Sequence, residues 1–283
     1  MILRFLILSL LVQPIMAQQA DSTKAFKIAV ATEVVLYAGT MYALNDLWYK
    51  DYPKSSFHWI NDNSNWLQMD KVGHATTAYN VGVLGKDIMV WSGVPEKKAL
   101  WYGGLYGSVF LTTIEILDGH SKEWGASWGD LIANTSGTAL FMAQELLFKE
   151  QIVQLKYSFW PSDYASKRPD LLGENTIQQA VKDYNAQLYW LSANINSIAE
   201  TPLPNWLNIA FGYGANGMIN GTPNELNQNR EYYVGLDVNL RKIKTGNSII
   251  DKCFKILSFI KIPMPTLKHT NDKLTFYPIY YGQ

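Results

Sequence analysis

A single cysteine, Cys253, stands in a chain of 283 residues, so no intramolecular disulfide can brace the fold and stability has to come from packing. Charge is scarce. Asp, Glu, Lys and Arg make up 17% of the chain, against roughly 25% in an average soluble domain. The 24 basic and 24 acidic residues cancel, leaving no basic field to attract phosphate backbones, and nucleic acid is not expected as a partner. Familiar catalytic signatures are also missing: there is no phosphate-binding loop, dinucleotide fingerprint, G-x-S-x-G elbow or H-E-x-x-H. No cofactor is required by anything in the sequence.

What the chain does have is apolar and aromatic mass, at 48% and 13%. That shift points to lipid or to an unusually apolar interior. Met1 to Ala17 carries one charge at Arg4, an apolar run from Phe5 to Val12 and a small residue at Ala17, the grammar of a cleaved secretory signal peptide. No cysteine lies near Ala17 to accept a lipid. The expectation is an exported protein of a Gram-negative cell envelope, placed in the periplasm or on a membrane, the outer membrane included.

The pattern beyond the signal predicts helices over Thr23 to Leu47, Asp70 to Trp91, Pro95 to Leu117 and Ser127 to Phe148. Each carries ionisable or amide groups within an otherwise apolar sequence. Gly82, Gly85, Gly103, Gly104, Gly107 and Gly137 would let these helices approach closely, in lipid or in a tight soluble core. Asn175 reads as the cap of a further helix reaching Ile195. Past Pro202 and Pro204, period-two alternation predicts strands near Leu207 to Gly214 and Tyr232 to Arg241, with a third at Leu274 to Tyr281. A closed barrel needs about eight strands, so the expectation is a small docked sheet. Ile249 to Ile260 reads as an amphipathic helix, either interfacial or packed.

The expected fold is therefore mainly α: a helical bundle with membrane-compatible helices, plus a small antiparallel β appendage at the C-terminus. Its division is 1–17 signal peptide, 18–200 helical domain and 201–283 β-rich extension.

Ionisable residues fall in stripes at helical spacing. Asp70 and His74 share one helix face with Lys71 beside them; Glu115 and Asp118 are three apart; Ser127, Asp130 and Asn134 are spaced three and four apart. If the three helices are neighbours, the stripes meet near one end. Carboxylates in apolar helices are costly, roughly 2.5 to 3.5 kcal/mol each even on lenient scales, so they should be mutually paired. Three readings stand. The cluster is a structural polar network that fixes helix register. Or it is a binding or catalytic pocket, with His74 as general base, Asp70, Lys71, Glu115, Asp118 and Asp130 around it, and Ser127 and Asn134 as binding groups. Or it holds a hard or borderline metal ion through His74 with Asp70 and Asp118, or with Glu115 or Asp130. Trp59, Trp66, Trp91, Trp101, Trp124 and Trp128 sit near predicted helix ends, as an interfacial belt or core packing would place them.

The runs Asp70-Lys71-Val-Gly-His74, Glu115-Ile-Leu-Asp118 and Ala126-Ser127-Trp-Gly-Asp130-Leu-Ile-Ala-Asn134-Thr-Ser-Gly137 resemble the YfiM-like family of predicted periplasmic lipoproteins, a domain of unknown function. Their order is also similar to that of the VanZ-like integral membrane family, associated with low-level glycopeptide resistance. The resemblance spans Asp70 to Gln144. It implies an envelope location and brings no reaction with it. The functional expectation is an envelope protein that binds an envelope lipid, a glycan precursor or a partner protein through the polar cluster. The alternatives are a membrane-associated hydrolase or transferase acting on envelope lipids, metal-dependent or not, and a purely structural module.

Overall fold

A computed structural model describes residues 22–50 and 52–282. The signal peptide expected over 1–17 lies outside the described residues. The chain divides into two compact units, Met1–Asn61 with Thr77–Glu145, and Asp62–Thr76 with Leu146–Gln283.

The first unit is built from helices α1 (Ser22–Leu44), α2 (Met69–Trp91, which enters this unit at Thr77), α3 (Glu96–Gly104), α4 (Tyr106–Gly119) and α5 (Trp128–Leu147). Helix α1 runs on into a wider turn, Asn45–Tyr49. The helix expected over Pro95 to Leu117 is two helices, broken at Leu105 behind Gly103 and Gly104. Consecutive glycines weaken a helix by about 1 kcal/mol each, and they are there for contact: a Cβ on Gly103 would lie 2.4 Å from the carbonyl carbon of Gly85. Beside this crossing, Ala29, Met89, Val94 and Ala99 form one core cluster, and Ala78, Phe110 and Leu111 another. Two short strands, β1 (Trp59–Ile60) and β2 (Ala126–Ser127), pair in parallel and fix where α5 begins. Among the described residues one helix, Phe26–Tyr49, is long and apolar enough to cross a membrane.

The second unit overturns the expected fold class. It holds a six-stranded antiparallel sheet, in the order β3 (Val153–Phe159), β4 (Gln187–Asn194), β5 (Leu207–Asn216), β6 (Asn229–Val238), β7 (Thr266–Thr270) and β8 (Lys273–Tyr277). The protein is mixed α and β, not a helical bundle with a small appendage. Two of the strands lie in the stretch expected to be helical. Asn175 does cap a helix, accepting from the amides of Ile177 and Gln178, but α6 covers only Thr176–Lys182. It stops where the buried Asp183 takes the amide and side chain of Asn185 into a local turn. Beyond that turn β4 is covered on both faces, with Leu191 alone exposed, so it lacks the alternation that announces a strand. A last helix, α7 (Ser248–Leu257), is capped by Asn247 and leads back to β3, whose Tyr157 bridges Ile260 in parallel.

Candidate functional site

Of the eight expected site residues, Asp70, Lys71 and His74 belong to the second unit and the other five to the first. In the second unit Asp70, Lys71 and His74 occupy the first turns of α2. They follow an unusual lead-in: Trp66, Leu67 and Gln68 all have positive φ, at 51°, 48° and 63°. Left-handed backbone costs a branched or bulky residue about 1 to 2 kcal/mol, so this turn persists only because its surroundings hold it. Gly221 accepts from the Trp66 amide at 2.8 Å, Tyr213 and Arg230 both donate to the Leu67 carbonyl, and Arg230 also donates to Gln68 Oε1 at 2.6 Å. Met69, Tyr189, Ala215 and Met218 pack beneath it.

From that anchor the Asp70 carboxylate gathers its partners. Lys71 Nζ donates to Asp70 Oδ2 at 2.9 Å and to Asp62 at 2.6 Å. Tyr184 donates its hydroxyl to Asp70 Oδ1, and His74 Nε2 lies 3.6 Å from the same oxygen. Burial alone would raise the Asp70 carboxyl. The charges of His74 and Lys71, with hydrogen bonds from Tyr184 and Lys71, outweigh it and hold the group at about 2. The side chains of Asp70, Lys71 and His74 keep 17%, 14% and 16% of their surface accessible, so the group is fixed in place yet reachable from solvent.

In the first unit Glu115, Ser127, Asp130 and Asn134 are brought together and are all but inaccessible. Glu115 Oε2 accepts the backbone amide of Ser127 at 2.8 Å, and Ser127 Oγ accepts that of Asp130 at 3.3 Å. Both bonds satisfy amides at the start of α5 that no helical carbonyl can reach. Asp130 adds a negative charge to the same first turn, where the helix dipole favours it. Deeper along α5 the Asn134 carbonyl and the Thr138 hydroxyl both accept from Ser108. Asp118 is turned to a different partner, the Tyr49 hydroxyl, at 2.6 Å.

Sequence reasoning missed Asp62, Tyr184 and Tyr49. Asp62 sits in the Asn61 to Asn65 run, which reads as loop chemistry. Tyr184 and Tyr49 lie 114 and 69 residues from the carboxylates they serve, beyond any local spacing rule. Of the tryptophans, Trp59 stacks on Trp128 with ring centroids 4.3 Å apart, both part-exposed, whereas Trp66 packs on Tyr184.

Residues 58–145 match the model of a family described as predicted periplasmic lipoprotein (DUF2279). That stretch contains every expected site residue. No curated protein and no solved structure matches the chain. On the family match, the protein is exported and associated with the cell envelope.

Proposed function

We propose that the protein is a non-enzymatic component of the envelope that binds the polar part of an envelope lipid or glycan precursor through Asp70, Lys71 and His74. The observation behind this is the combination of rigidity and access at these residues. A carboxylate held ionised by Tyr184 and an ammonium shared between Asp70 and Asp62 lie beside an imidazole, and all three side chains stay partly accessible to solvent. Pre-oriented donors and acceptors of both signs suit a ligand rich in hydroxyl or phosphate groups. Glu115, Ser127, Asp130 and Asn134 then serve as the positioning frame for α5. The order of these motifs also supports the finer kinship with YfiM-like and VanZ-like proteins.

The test is retention. His74→Ala and Lys71→Ala proteins, exported to wild-type levels, should carry less co-purifying lipid or glycan by mass spectrometry, and Asp130→Ala should lower protein abundance first. Unchanged retention in both α2 variants would count against the reading.

A second reading rests on the His74 and Asp70 pair. A carboxylate beside an imidazole orients it for general base work, which would suit a hydrolase or transferase acting on envelope lipids. Turnover of a lipid-linked substrate that disappears in His74→Ala would favour it, and elemental analysis of the same preparation would decide whether a metal takes part.

A further inference from the structure

The six-stranded sheet encloses an apolar cluster of Leu188, Trp190, Ala210 and Tyr233 together with a set of polar side chains. Its inner face carries Lys156, Ser192, Asn208, Glu231 and Asp237, all buried. That face is satisfied from within: Lys156 pairs with Asp237 at 2.7 Å, Ser192 donates to Asp237 at 2.6 Å, Asn208 donates to Ser192 at 2.9 Å, and Lys268 pairs with Glu231 at 2.9 Å. The outer face packs Tyr189 and Ala215 under the turn ahead of α2, and beyond them it is apolar and open. The register lines up Leu155, Leu191, Phe211, Val234, Leu267 and Phe276 in one row across all six strands. All but Leu155 are exposed, Phe211 by 50% and Phe276 by 60%.

With strands about 4.8 Å apart, this row runs for roughly 24 Å along the curve of the sheet. A soluble antiparallel sheet turns its apolar side to the core and its polar side to water. An apolar row left open on the outer side is how a sheet that faces lipid is written. The amphipathic helix α7 repeats the theme: none of its residues is buried, and Ile249, Ile250 and Leu257 are open to solvent.

We propose that the outer face of this sheet, together with α7, seats on a phospholipid bilayer carrying anionic headgroups. Charge selects that occupant. The whole chain is neutral, yet the segment from Arg241 to Lys255 carries Arg241 and four lysines against the single acid Asp251, and Lys242 among them pairs outside the segment in a salt bridge, with Glu150 at 2.6 Å. Basic side chains flanking an apolar surface match a layer of lipid phosphates. A second copy docked through the same surface would instead bring this basic segment against itself. The surface shares no residue with Asp70, Lys71 and His74, so this inference stands or falls independently of the ligand-binding proposal.

Flotation of the purified protein with vesicles of phosphatidylethanolamine and phosphatidylglycerol tests it. The wild type should float with these vesicles and less with phosphatidylcholine alone. The variants Phe211→Asn with Val234→Thr, and Ile249→Asn with Ile250→Asn, should partition roughly tenfold more weakly, since each removes apolar area from contact with lipid. Far-UV circular dichroism of the variants should match the wild type, as all four positions are exposed. The wild type staying in the soluble fraction, variants floating as well as the wild type, or light scattering showing a dimer that the same substitutions dissolve while vesicles are ignored, would each overturn the proposal.

Discussion

Lys156 on β3 and Asp237 on β6 meet at 2.7 Å with neither side chain accessible, although β4 and β5 lie between their strands. Three strand spacings amount to about 14 Å on a flat sheet, so the sheet must curl around this pair. Lys156 also donates to the Val238 carbonyl, and Asp237 accepts from Ser192 and from the Ile262 amide. Burial pulls the Lys156 ammonium below its usual range, and the Asp237 charge opposes that pull.

Removing one partner would strand the other charge in the interior. Asp237→Ala is therefore expected to cost about 3 to 5 kcal/mol, and Lys156→Ala a similar amount. The double variant should cost much less than the sum of the two. Urea unfolding followed by tryptophan fluorescence would show this. Additive losses would mean that the pair is not the hinge of the curled sheet.

The Asp70 carboxyl gives a pH dependence of definite sign. Its pKa in the folded protein, about 2, lies below the ordinary value of 3.8, so the stability it contributes is present above about pH 4 and is lost as pH falls towards 2. A depression of that size corresponds to about 2 to 3 kcal/mol. Asp70→Asn should be less stable than the wild type at pH 7, with the difference closing by pH 2. Thermal melts across that interval check it, and a constant difference would show that Asp70 is not held by His74, Lys71 and Tyr184.

The left-handed turn ahead of Asp70 depends on Arg230, which bonds both Leu67 and Gln68. Arg230→Ala should cost about 1 kcal/mol, the net value of such exposed bonds. It should also speed amide exchange at residues 66–71 more than elsewhere. Uniform exchange would place the restraint on the turn in Trp66 and Tyr213 instead.

The sequence was legible where one local rule decides the outcome. Asn175 caps, the alternation of Leu207 to Gly214 makes a strand, and Gly103 marks a close crossing because only a bare Cα fits there. It misled where tertiary coverage overrides the pattern. The run Gln187 to Asn194 is buried on both sides, and β7 pairs only four residues with β6, too few to stand out. The stripes Asp70, Lys71, His74 and Glu115, Ser127, Asp130 were readable because helical spacing brings charges to one face. Tyr184 and Asp62 were not, since their roles follow from where distant loops come to rest.

Gly107 and Gly39 offer a matched test of what helix glycines do in the first unit. A Cβ at Gly107 would sit 2.1 Å from the backbone oxygen of Ala78, and neither α4 nor α2 can relieve that by rotating a side chain. Gly107→Ala is expected to force the two helices apart, at a cost near the upper end of overpacking, about 3 kcal/mol. Gly39 lies exposed on α1 with nothing within 4 Å of its would-be Cβ. There the same substitution removes only the entropy cost of glycine and should stabilise by about 0.5 to 1 kcal/mol. Melting temperatures should therefore move in opposite directions. A shift of the same sign at both positions would mean that propensity, not backbone contact, governs Gly107, and that the α2 and α4 backbones do not touch at Ala78.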